Sequence, residues 1–344
     1  MSSCPLPKFD FEKINLGHGS GGKLTSRLLD SGVFSVFQNP YLQKRDDAAQ
    51  CPISGDIIVS TDSYVVTPIF FSGGDIGKLA VHGTVNDVAM CGGIPKYLTL
   101  SFIIEENFSI EDFRKVLLSI SEACAESNVQ IITGDTKVVE KNKGDQIFIN
   151  TTGIGEKHEK AELGAELIKS GDKILVSGSV GLHGATIMGH REGFNFTGNI
   201  QSDTKPLNLL VEKMLSEFGS AIRFMRDPTR GGISSSLNET AELSKKGVYL
   251  FQEKIPVPQE VEDLSSVLGL DPFYMANEGI FIACVAEDKA DEVLVFLKKH
   301  EYGKDASIIG HFIEEHVGKV ILENLIGGRR PLNLLPGEQL PRIC

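Results

Sequence analysis

Apolar runs with strand-like and helix-like spacing alternate along most of this 344-residue chain, and this alternation constrains its fold more than any other feature. Strand-like runs such as 56–61 and 130–133 lead into acidic or glycine-containing turns, whereas 76–91 and 110–127 have the spacing of helices. Strands that alternate with helices are typical of sheets covered by helices. The pattern therefore predicts an α/β (α+β) fold.

The chain is longer than one hydrophobic core usually covers, so two domains are expected. A charged stretch rich in lysine and glutamate at 156–170 marks the predicted boundary. It separates an N-terminal domain at 1–160 from a C-terminal α/β domain at 161–327. The remaining residues, 328–344, begin at a Gly-Gly pair and contain three prolines, so they predict an extended, mobile tail that ends at Cys344.

Charge and cysteine usage exclude several classes of protein. The formal net charge of −12, without any run of lysine or arginine, disfavours a nucleic-acid-binding surface. No stretch is long and apolar enough to span a bilayer, and the N-terminus has no signal-peptide pattern. The six cysteines are scattered without metal-ligand spacing, which favours reduced thiols and a cytoplasmic location.

Acidic residues stand beside several of the predicted elements. Asp62 and Asp135 follow strand-like runs, and the pair at 46–47 shortly precedes one. Asp87 lies within an apolar helix, where a carboxylate is costly unless it is paired or bound to metal. Such carboxylates can converge on a divalent cation and on the phosphates that it binds. The alternative is that aspartate simply favours turns and helix caps.

A glycine-rich segment at 17–23 precedes a predicted short helix that begins at Leu24. Backbone N–H groups that glycines expose can cradle a phosphate. The segment matches neither a P-loop nor a dinucleotide-binding fingerprint. A plain flexible turn is therefore the alternative interpretation.

The C-terminal residue, Cys344, also has two interpretations when it is taken alone. A thiol at the tip of an extended arm can be a reactive group, because inert thiols are usually buried. The alternative is an incidental cysteine at a frayed terminus. Prenylation is excluded, since that modification needs three residues after the cysteine.

Taken together, the motifs of this chain resemble the HypE family of hydrogenase maturation proteins. The motifs in the middle of the chain resemble the wider aminoimidazole-ribonucleotide-synthetase-like superfamily, which includes thiamine-phosphate kinase and selenophosphate synthetase. The Pro-Arg-Ile-Cys end is the feature that selects the HypE family. The segments that carry the resemblance are 17–22, 46–49, 61–66, 85–90, 134–139, 225–232, 277–279 and 341–344.

This resemblance implies a fold and an assembly. It implies an N-terminal domain whose strands form a barrel with the partner subunit of a homodimer, followed by a C-terminal α/β domain. ATP and Mg²⁺ are implied cofactors, bound by the N-terminal acidic loops. The implied partners are the carbamoyltransferase HypF, as carbamoyl donor, and the HypC–HypD complex, as cyanide acceptor.

The resemblance also implies a reaction, the ATP-dependent dehydration of an S-carbamoyl group on Cys344 to S-cyanate. This product supplies the cyanide ligands of [NiFe]-hydrogenase. Glu278 is the implied base, with a helix-end carboxylate as its alternative role, and Lys137 the implied proton shuttle, with a phosphate contact as its alternative. The implied magnesium ligands are Asp46, Asp62, Asp87, Asp135 and, more weakly, Asp227. The implied nucleotide-binding residues are Gly19, Gly21, Gly22, Asn86, Asn150 and Thr151.

Two rival functions remain compatible with the sequence. The first is a sister ATP-dependent enzyme such as selenophosphate synthetase, whose reactive residue lies in the N-terminal glycine-rich region. Cys4 stands well before that region here, so this rival is disfavoured. The second is a nucleotide-gated carrier that holds a group on Cys344 without dehydrating it.

Overall fold

The computed structural model describes residues 8–45, 48–193, 200–334 and 343 of the chain. The α-helices within these residues are α1 (Lys23–Leu28), α2 (Phe34–Val36), α3 (Pro40–Gln43), α4 (Ile76–Met90), α5 (Ile110–Ser127), α6 (Leu182–Arg191), α7 (Asn208–Phe218), α8 (Gly232–Ser244), α9 (Gln259–Leu268) and α10 (Ala290–Lys298). The strands are β1 (Ile57–Tyr64), β2 (Phe70–Phe71), β3 (Gly74–Asp75), β4 (Gly93–Glu105), β5 (Gln130–Val139), β6 (Ile147–Lys157), β7 (Lys173–Val176), β8 (Ile222–Arg226), β9 (Gly247–Phe251), β10 (Ile282–Val285), β11 (Ser307–Ile313), β12 (Val320–Glu323) and β13 (Arg329–Pro331).

The N-terminal domain contains a four-stranded sheet in the order β1-β6-β4-β5. Strand β6 is antiparallel to both β1 and β4, whereas β4 and β5 are parallel. Helices α4 and α5 cover one face, which is called the inner face here, and Phe102 of β4 packs there against Phe113 of α5. On the opposite, outer face, Ile57 and Val59 of β1 are 52% and 60% exposed. The outer face therefore exposes apolar side chains at β1.

The C-terminal domain is built on a seven-stranded sheet in the order β13-β12-β9-β11-β7-β10-β8. All of its pairings are antiparallel except that between β12 and β9. Neighbouring side chains of β7 point to opposite faces, as the alternation of a strand requires. Ile174 and Val176 join a core with α8, whereas Leu175 joins a core with α7 and α10. The sheet is thus sandwiched between two helical layers.

The hydrophobic cores are continuous across the domain boundary. Ala89 and Met90, at the end of α4, belong to the core formed mainly by α7 and α10. Conversely, Ala185 of α6 and Val261 of α9 belong to the core of the N-terminal domain. Burial of apolar surface on both sides of the boundary stabilises the arrangement of the two domains.

Several elements confirm the sequence predictions, and others differ from them. The bounds of α5 agree with the predicted helix, and those of α4 differ by one residue. Asp62 and Asp135 were expected after the ends of strands, but they lie inside β1 and β5. Pairing with β6 continues β1 beyond its apolar run, and pairing with β4 does the same for β5. Strands β11 and β12 each pair with β9 instead of with each other.

Another difference concerns the beginning of the predicted tail. Arg329–Pro331 form β13, an edge strand that pairs with β12, and Leu332 after it is fully buried. An edge position tolerates proline because one side of the strand needs no partner. Within the described residues, no helix has both the length and the apolar character that a membrane crossing would need.

Candidate functional site

An elongated pocket opens at the β5 edge of the N-terminal sheet, next to the segment that carries the first three helices. Its volume is about 670 Å³ when the open solvent at its mouth is included. The apolar part of its wall is formed by Leu29, Val33, Phe34, Leu42, Phe102 and Ile131. Its polar part includes Gly19, Gly21, Asp135 and Lys137. The pocket therefore suits a flat apolar group joined to an anionic one.

Two of the glycines at the polar end are required by geometry. A Cβ atom on Gly19 would lie 2.4 Å from the backbone nitrogen of Val138, so only glycine lets this loop approach β5 so closely. Gly21 has a φ of +82°, a conformation that favours glycine, and nothing lies within 4 Å of a Cβ atom placed there. Gly22, the N-cap residue of α1, is equally open. The loop thus presents bare backbone to the pocket.

Lys137 and Asp135 form an ion pair on the pocket wall. The Lys137 Nζ lies 3.0 Å from Asp135 Oδ1, and the two side chains are 62% and 58% exposed. They face the same way because alternate residues of a strand share a face. The backbone N–H of Thr136 also donates to Asp135 Oδ1, at 2.8 Å. Both charged groups are accessible to a ligand that enters the pocket.

A second polar cluster lies where the inner face of the N-terminal sheet meets the C-terminal domain. This cluster, the acidic centre, consists of Asp62, Asp87, Asp227 and Glu278. The Ser60 hydroxyl donates to Asp87 Oδ2 at 2.8 Å, which links β1 to α4. Arg230, in the turn between β8 and α8, pairs with Asp62 Oδ1 at 2.9 Å. The two domains therefore both contribute charged groups to this centre.

Burial and neighbouring carboxylates raise the pKa of three members of the acidic centre, Asp87, Asp227 and Glu278. Burial raises the pKa of Asp87, the hydrogen bond from Ser60 opposes this, and the charge of Asp62 adds to it. Burial, and then the charge of Asp87, raise the pKa of Asp227 to about 7. Like charges held close together at low solvent exposure favour uptake of a proton or of a cation. The centre is thus a site of unbalanced negative charge.

Glu278 is the most deeply buried member of the acidic centre, at 2% exposure. Burial, followed by the charges of Asp227 and Asp203, raises its pKa well above the usual value. Its Oε1 atom has no hydrogen-bond partner among the described residues. A buried carboxyl oxygen without a partner is costly, which is typical of a group kept for chemistry.

Asp203 positions Glu278 and was not identified from the sequence. Its carboxylate accepts hydrogen bonds from the backbone N–H groups of Glu278 and Gly279, both at 3.1 Å, and from Asn277 Nδ2 at 2.9 Å. A Cβ atom on Gly279 would lie 1.7 Å from the Asp203 carbonyl oxygen, so only glycine fits there. The Asn-Glu-Gly motif was visible in the sequence, but its partner 75 residues away gave no local signal.

Two of the predicted nucleotide-binding residues, Asn86 and Thr151, are buried and bonded within the protein. Asn86 is 1% exposed; its Nδ2 donates to the Lys205 carbonyl at 3.1 Å and its Oδ1 accepts from the Leu207 N–H at 2.8 Å. These bonds tie α4 to the C-terminal domain. Thr151 is also 1% exposed, on the inner face, where its hydroxyl lies 3.1 Å from the Ala80 carbonyl. The nucleotide contacts predicted for both residues stay predictions.

Asn150 lies on the outer face, in one row with Asp135. Ser101 of β4 is paired with both residues, and direct partners across strands share a face. The Asn150 Nδ2 donates to the backbone carbonyl of Asp62 at 2.9 Å, although the Asp62 side chain points to the inner face. The predicted site residues of one chain are therefore divided between the two faces of the sheet: Asp135, Lys137 and Asn150 lie on the outer face, and the acidic centre lies on the inner face.

The residues of the acidic centre fit magnesium in their chemistry. They supply only oxygen donors, which a hard cation prefers, and burial together with neighbouring carboxylates raises the pKa of Asp87, Asp227 and Glu278. Within the described part of the chain, no three such groups form a preassembled metal site. Asp135 lies on the opposite face of the sheet, and Asp46 falls outside the described residues. A single chain therefore does not assemble all five predicted ligands.

The arm leaves the C-terminal sheet and its penultimate residue lies at the domain boundary. At its base, the Tyr274 hydroxyl donates to the Asn333 carbonyl at 2.7 Å, and Asn238 donates to the Leu332 carbonyl at 2.7 Å. Ile343 is 7% exposed and belongs to the core of the N-terminal domain. Cys344 itself falls outside the described residues, but it directly follows this buried position.

Comparisons with known proteins agree with this architecture. The family model for the N-terminal domain of AIR synthase related proteins matches residues 45–156, and the model for their C-terminal domain matches residues 169–323. A solved thiamine monophosphate kinase from Aquifex aeolicus shares the fold, with a TM-score of 0.58 over 84% of this chain and 94% of that one at 17% identity. The fold is thus that of an AIR synthase related protein.

More similar relatives define the family within that class. The chain is 44% identical to the carbamoyl dehydratase HypE of Rhizobium leguminosarum bv. viciae, over 96% of this chain and 95% of the relative. It is 41% identical to that of Escherichia coli K12, over 96% and 99%. A crystal structure of the hydrogenase maturation protein HypE in complex with ATP superposes with a TM-score of 0.93 at 44% identity, over 96% and 99%. The chain belongs to the HypE family, which confirms the resemblance seen in its motifs.

Proposed function

We propose that this chain uses ATP to dehydrate a carbamoyl group carried on its own Cys344, which yields S-cyanate for the cyanide ligands of [NiFe]-hydrogenase. The observation that carries the proposal is the position of Ile343. This residue is buried at the domain boundary, within the same set of segments that hold Glu278. Hydrogen bonds join the Ile343 carbonyl to His183 and His183 to Ser202. The next residue, Asp203, holds the backbone of Glu278, so the end of the arm is linked to the acidic centre.

The chemistry requires an activated oxygen and two proton acceptors. In the thiocarbamate S–C(=O)–NH₂, the oxygen attacks the γ-phosphate of ATP, and ADP leaves. The phosphorylated oxygen then departs as phosphate while the C–N bond becomes a triple bond and both N–H protons are lost. The sum is S–C(=O)–NH₂ plus ATP giving S–C≡N, ADP, hydrogen phosphate and one released proton, because one of the two N–H protons ends on the phosphate. Catalysis consists mainly of positioning, charge stabilisation and proton removal.

The pocket at the β5 edge is the proposed ATP site. Its apolar wall suits the purine, and the bare glycine loop at its polar end suits the phosphates. Lys137 is paired with Asp135, and its ammonium group can instead form an ion pair with a phosphate oxygen of the bound nucleotide. Support comes from the relative that was crystallised with ATP and shares 44% identity with this chain.

Magnesium is the proposed counterion of the acidic residues. Asp62, Asp87 and Asp227 would hold it, with Asp46 and Asp135 as further ligands. When bound, it neutralises the phosphates and withdraws electrons from the transferred group. The chain's own contribution is to keep these carboxylates together against their mutual repulsion, through Ser60 on Asp87 and Arg230 on Asp62.

Glu278 is the proposed base for an N–H proton of the carbamoyl group. Its raised pKa makes its carboxylate form a stronger base than an exposed glutamate. Asp203 fixes its backbone, so that the carboxyl group is held in one place. Lys137 is the proposed shuttle for the second proton.

A homodimer is the proposed working unit. The outer face of the N-terminal sheet carries exposed Ile57, Val59 and Ile103, and a second copy packed there would cover them. Because Asp135 and Lys137 lie on the outer face of the sheet and the acidic centre of the same chain lies on its inner face, the partner subunit would complete the site. HypF is the proposed carbamoyl donor, since a relative with 44% identity was solved as a HypE–HypF complex, with a TM-score of 0.78 over 90% of this chain and 99% of that one. HypC–HypD is the proposed acceptor.

The experiment compares phosphate release by the carbamoylated and unmodified chain in the presence of ATP and magnesium. We expect a burst of one phosphate per carbamoyl group, and none with Cys344→Ala, which should still bind ATP. Cys91→Ala is the matched control, because Cys91 is exposed but lies outside the arm. Equal phosphate release with and without the carbamoyl group would contradict the proposal.

A further inference from the structure

His183 lies in the first turn of α6, fully buried between the two domains. Both nitrogen atoms of its ring have partners. Nδ1 lies 2.8 Å from the Ser202 hydroxyl oxygen, and Nε2 lies 2.5 Å from the backbone carbonyl oxygen of Ile343. The histidine thus connects Ile343, the penultimate residue of the chain, to Ser202.

The partners of this ring determine which nitrogen carries the proton. A carbonyl oxygen only accepts, so Nε2 must be the protonated nitrogen that donates to Ile343. The Ser202 oxygen already accepts from the Thr204 N–H at 3.2 Å, which leaves its own proton free to be donated to Nδ1. Burial lowers the pKa of His183 and so favours this neutral form.

Ile343 is held at two points. Its side chain is part of the apolar core at the domain boundary, and its carbonyl oxygen accepts from His183. The core around the histidine includes Phe71, whose ring lies 5.5 Å from the imidazole. The peptide group whose oxygen is bound is the one that joins Ile343 to Cys344. The hydrogen bond from His183 therefore holds the carbonyl group of this peptide in place.

The segment that contains Ser202 and Asp203 is bonded both to the residue that holds the arm and to the backbone of the acidic centre. Ser202 orients the ring of His183, and the next residue, Asp203, holds the backbone of Glu278 and Gly279. The charge of Asp203 also acts on the imidazole. Hence the arm is anchored to the element that positions the proposed base.

We propose that His183 is a positioning residue, whose Nε2–H hydrogen bond to the Ile343 carbonyl holds the end of the arm on the segment that positions Glu278. The inference deepens the proposed function, on which it rests for its catalytic consequence. His183 does not touch the reacting group; it sets where the group starts. A leucine of similar size cannot donate, whereas the amide of glutamine can donate to the same carbonyl.

The test follows the δ1-methyl signal of Ile343 in the full-length chain labelled selectively at isoleucine methyl groups. The Ile343→Val variant assigns the signal. In the wild type, we expect a position displaced by the nearby aromatic rings. In His183→Leu, the signal should move to the position of a solvent-exposed isoleucine and sharpen, while His183→Gln should keep it near its original position.

Matched controls separate the hydrogen bond from general packing. His190→Leu changes an exposed histidine of the same helix, which accepts from the Ser72 N–H at 3.0 Å, and should leave the signal in place. If His183→Leu does not fold, Ser202→Ala removes the group that orients the ring and should give a partial shift. An unchanged signal in both His183→Leu and Ser202→Ala would overturn the proposal. So would an equal shift in the glutamine and leucine variants.

A kinetic measurement gives a second readout. Single-turnover loss of water from the carbamoylated chain should be about tenfold slower in His183→Leu, as expected for one lost buried hydrogen bond, with the KM for ATP unchanged. If the wild-type adduct loses no water at all, the proposed function fails. The methyl signal would still decide whether His183 holds the arm.

Discussion

At the scale of residues, Glu278 has the least favourable surroundings for a charge in the acidic centre. It is fully buried, and the carboxylates of Asp227, Asp203, Asp62 and Asp87 all raise its pKa in the same direction as burial does. The carboxyl group therefore holds its proton more strongly than that of an exposed glutamate. Positive charge brought close to it would favour release of that proton.

This raised pKa predicts a pH-dependent effect of Glu278→Gln on stability. A carboxyl whose pKa is raised by folding stabilises the native state below its unfolded pKa of 4.5, and this contribution is lost as the pH rises toward the folded value. We therefore expect Glu278→Gln, measured without ATP and magnesium, to be more stable than the wild type at pH 8. The advantage should shrink toward pH 5. Denaturant unfolding at both pH values checks this, and an equal difference at both would contradict it.

The sequence identified the residues of local motifs but not their distant partners. Asp62, Asp87 and Glu278 stand in acidic or glycine-rich motifs, and the structure brings them together. Asp203 and His183 were missed because their partners lie 75 and 160 residues away in the chain. Such pairings follow from tertiary packing, which a periodic pattern does not record.

At the scale of elements, α4 connects the two parts of the molecule. It presents Asp87 to the acidic centre and Asn86 to the C-terminal domain, and nearly all of its residues are buried. Its N-terminus is fixed by Asp75, whose Oδ1 accepts from the N–H groups of Gly77 at 2.7 Å and Lys78 at 2.9 Å. A carboxylate at this position satisfies two backbone donors that have no partner within the helix.

Loss of this cap should destabilise the chain measurably. We expect Asp75→Ala to lower the free energy of unfolding by about 1 kcal/mol, the usual effect of removing a helix cap. Asp75→Asn is the control, because its side-chain oxygen still accepts both hydrogen bonds. Chemical denaturation of the three proteins measures the difference. A deficit of the same size in the asparagine variant would show that the cap is not the cause.

Periodicity predicted the helices better than the strands. The apolar spacing of residues 110–127 predicted α5 because the apolar residues of this helix all lie on the face that it buries. Strands β1 and β5 extend past their apolar runs because the backbones of Asp62 and Asp135 pair with neighbouring strands, although their side chains are polar. The faces of the sheet, and hence the division of the site residues, became visible only with that register.

At the scale of the whole molecule, the division of the site between two faces makes the assembly central to function. One chain holds Asp135, Lys137 and Asn150 on the outer face and the acidic centre on the inner face. The outer face also exposes the apolar side chains of Ile57, Val59 and Ile103, which a second copy would cover. The proposed homodimer accounts for both features.

A charge on this face should therefore separate the subunits. We expect Val59→Lys to shift the chain from dimer to monomer in sedimentation and to abolish dehydration along with it, because an ammonium group cannot be buried there without a partner. Val267→Lys is the matched control, since Val267 is 70% exposed on α9 in the other domain. A Val59→Lys chain that stays dimeric would place the interface elsewhere.

The central claim is that this chain dehydrates a group attached to its own last residue. Mass spectrometry of the intact chain, carbamoylated on Cys344 and mixed with ATP and magnesium, measures this directly. The proposed function predicts that the adduct loses the mass of one water within a single turnover, and that Glu278→Gln retains the full adduct while it still binds ATP. A wild-type adduct that persists unchanged with ATP bound would contradict the claim and show that the chain only carries the group.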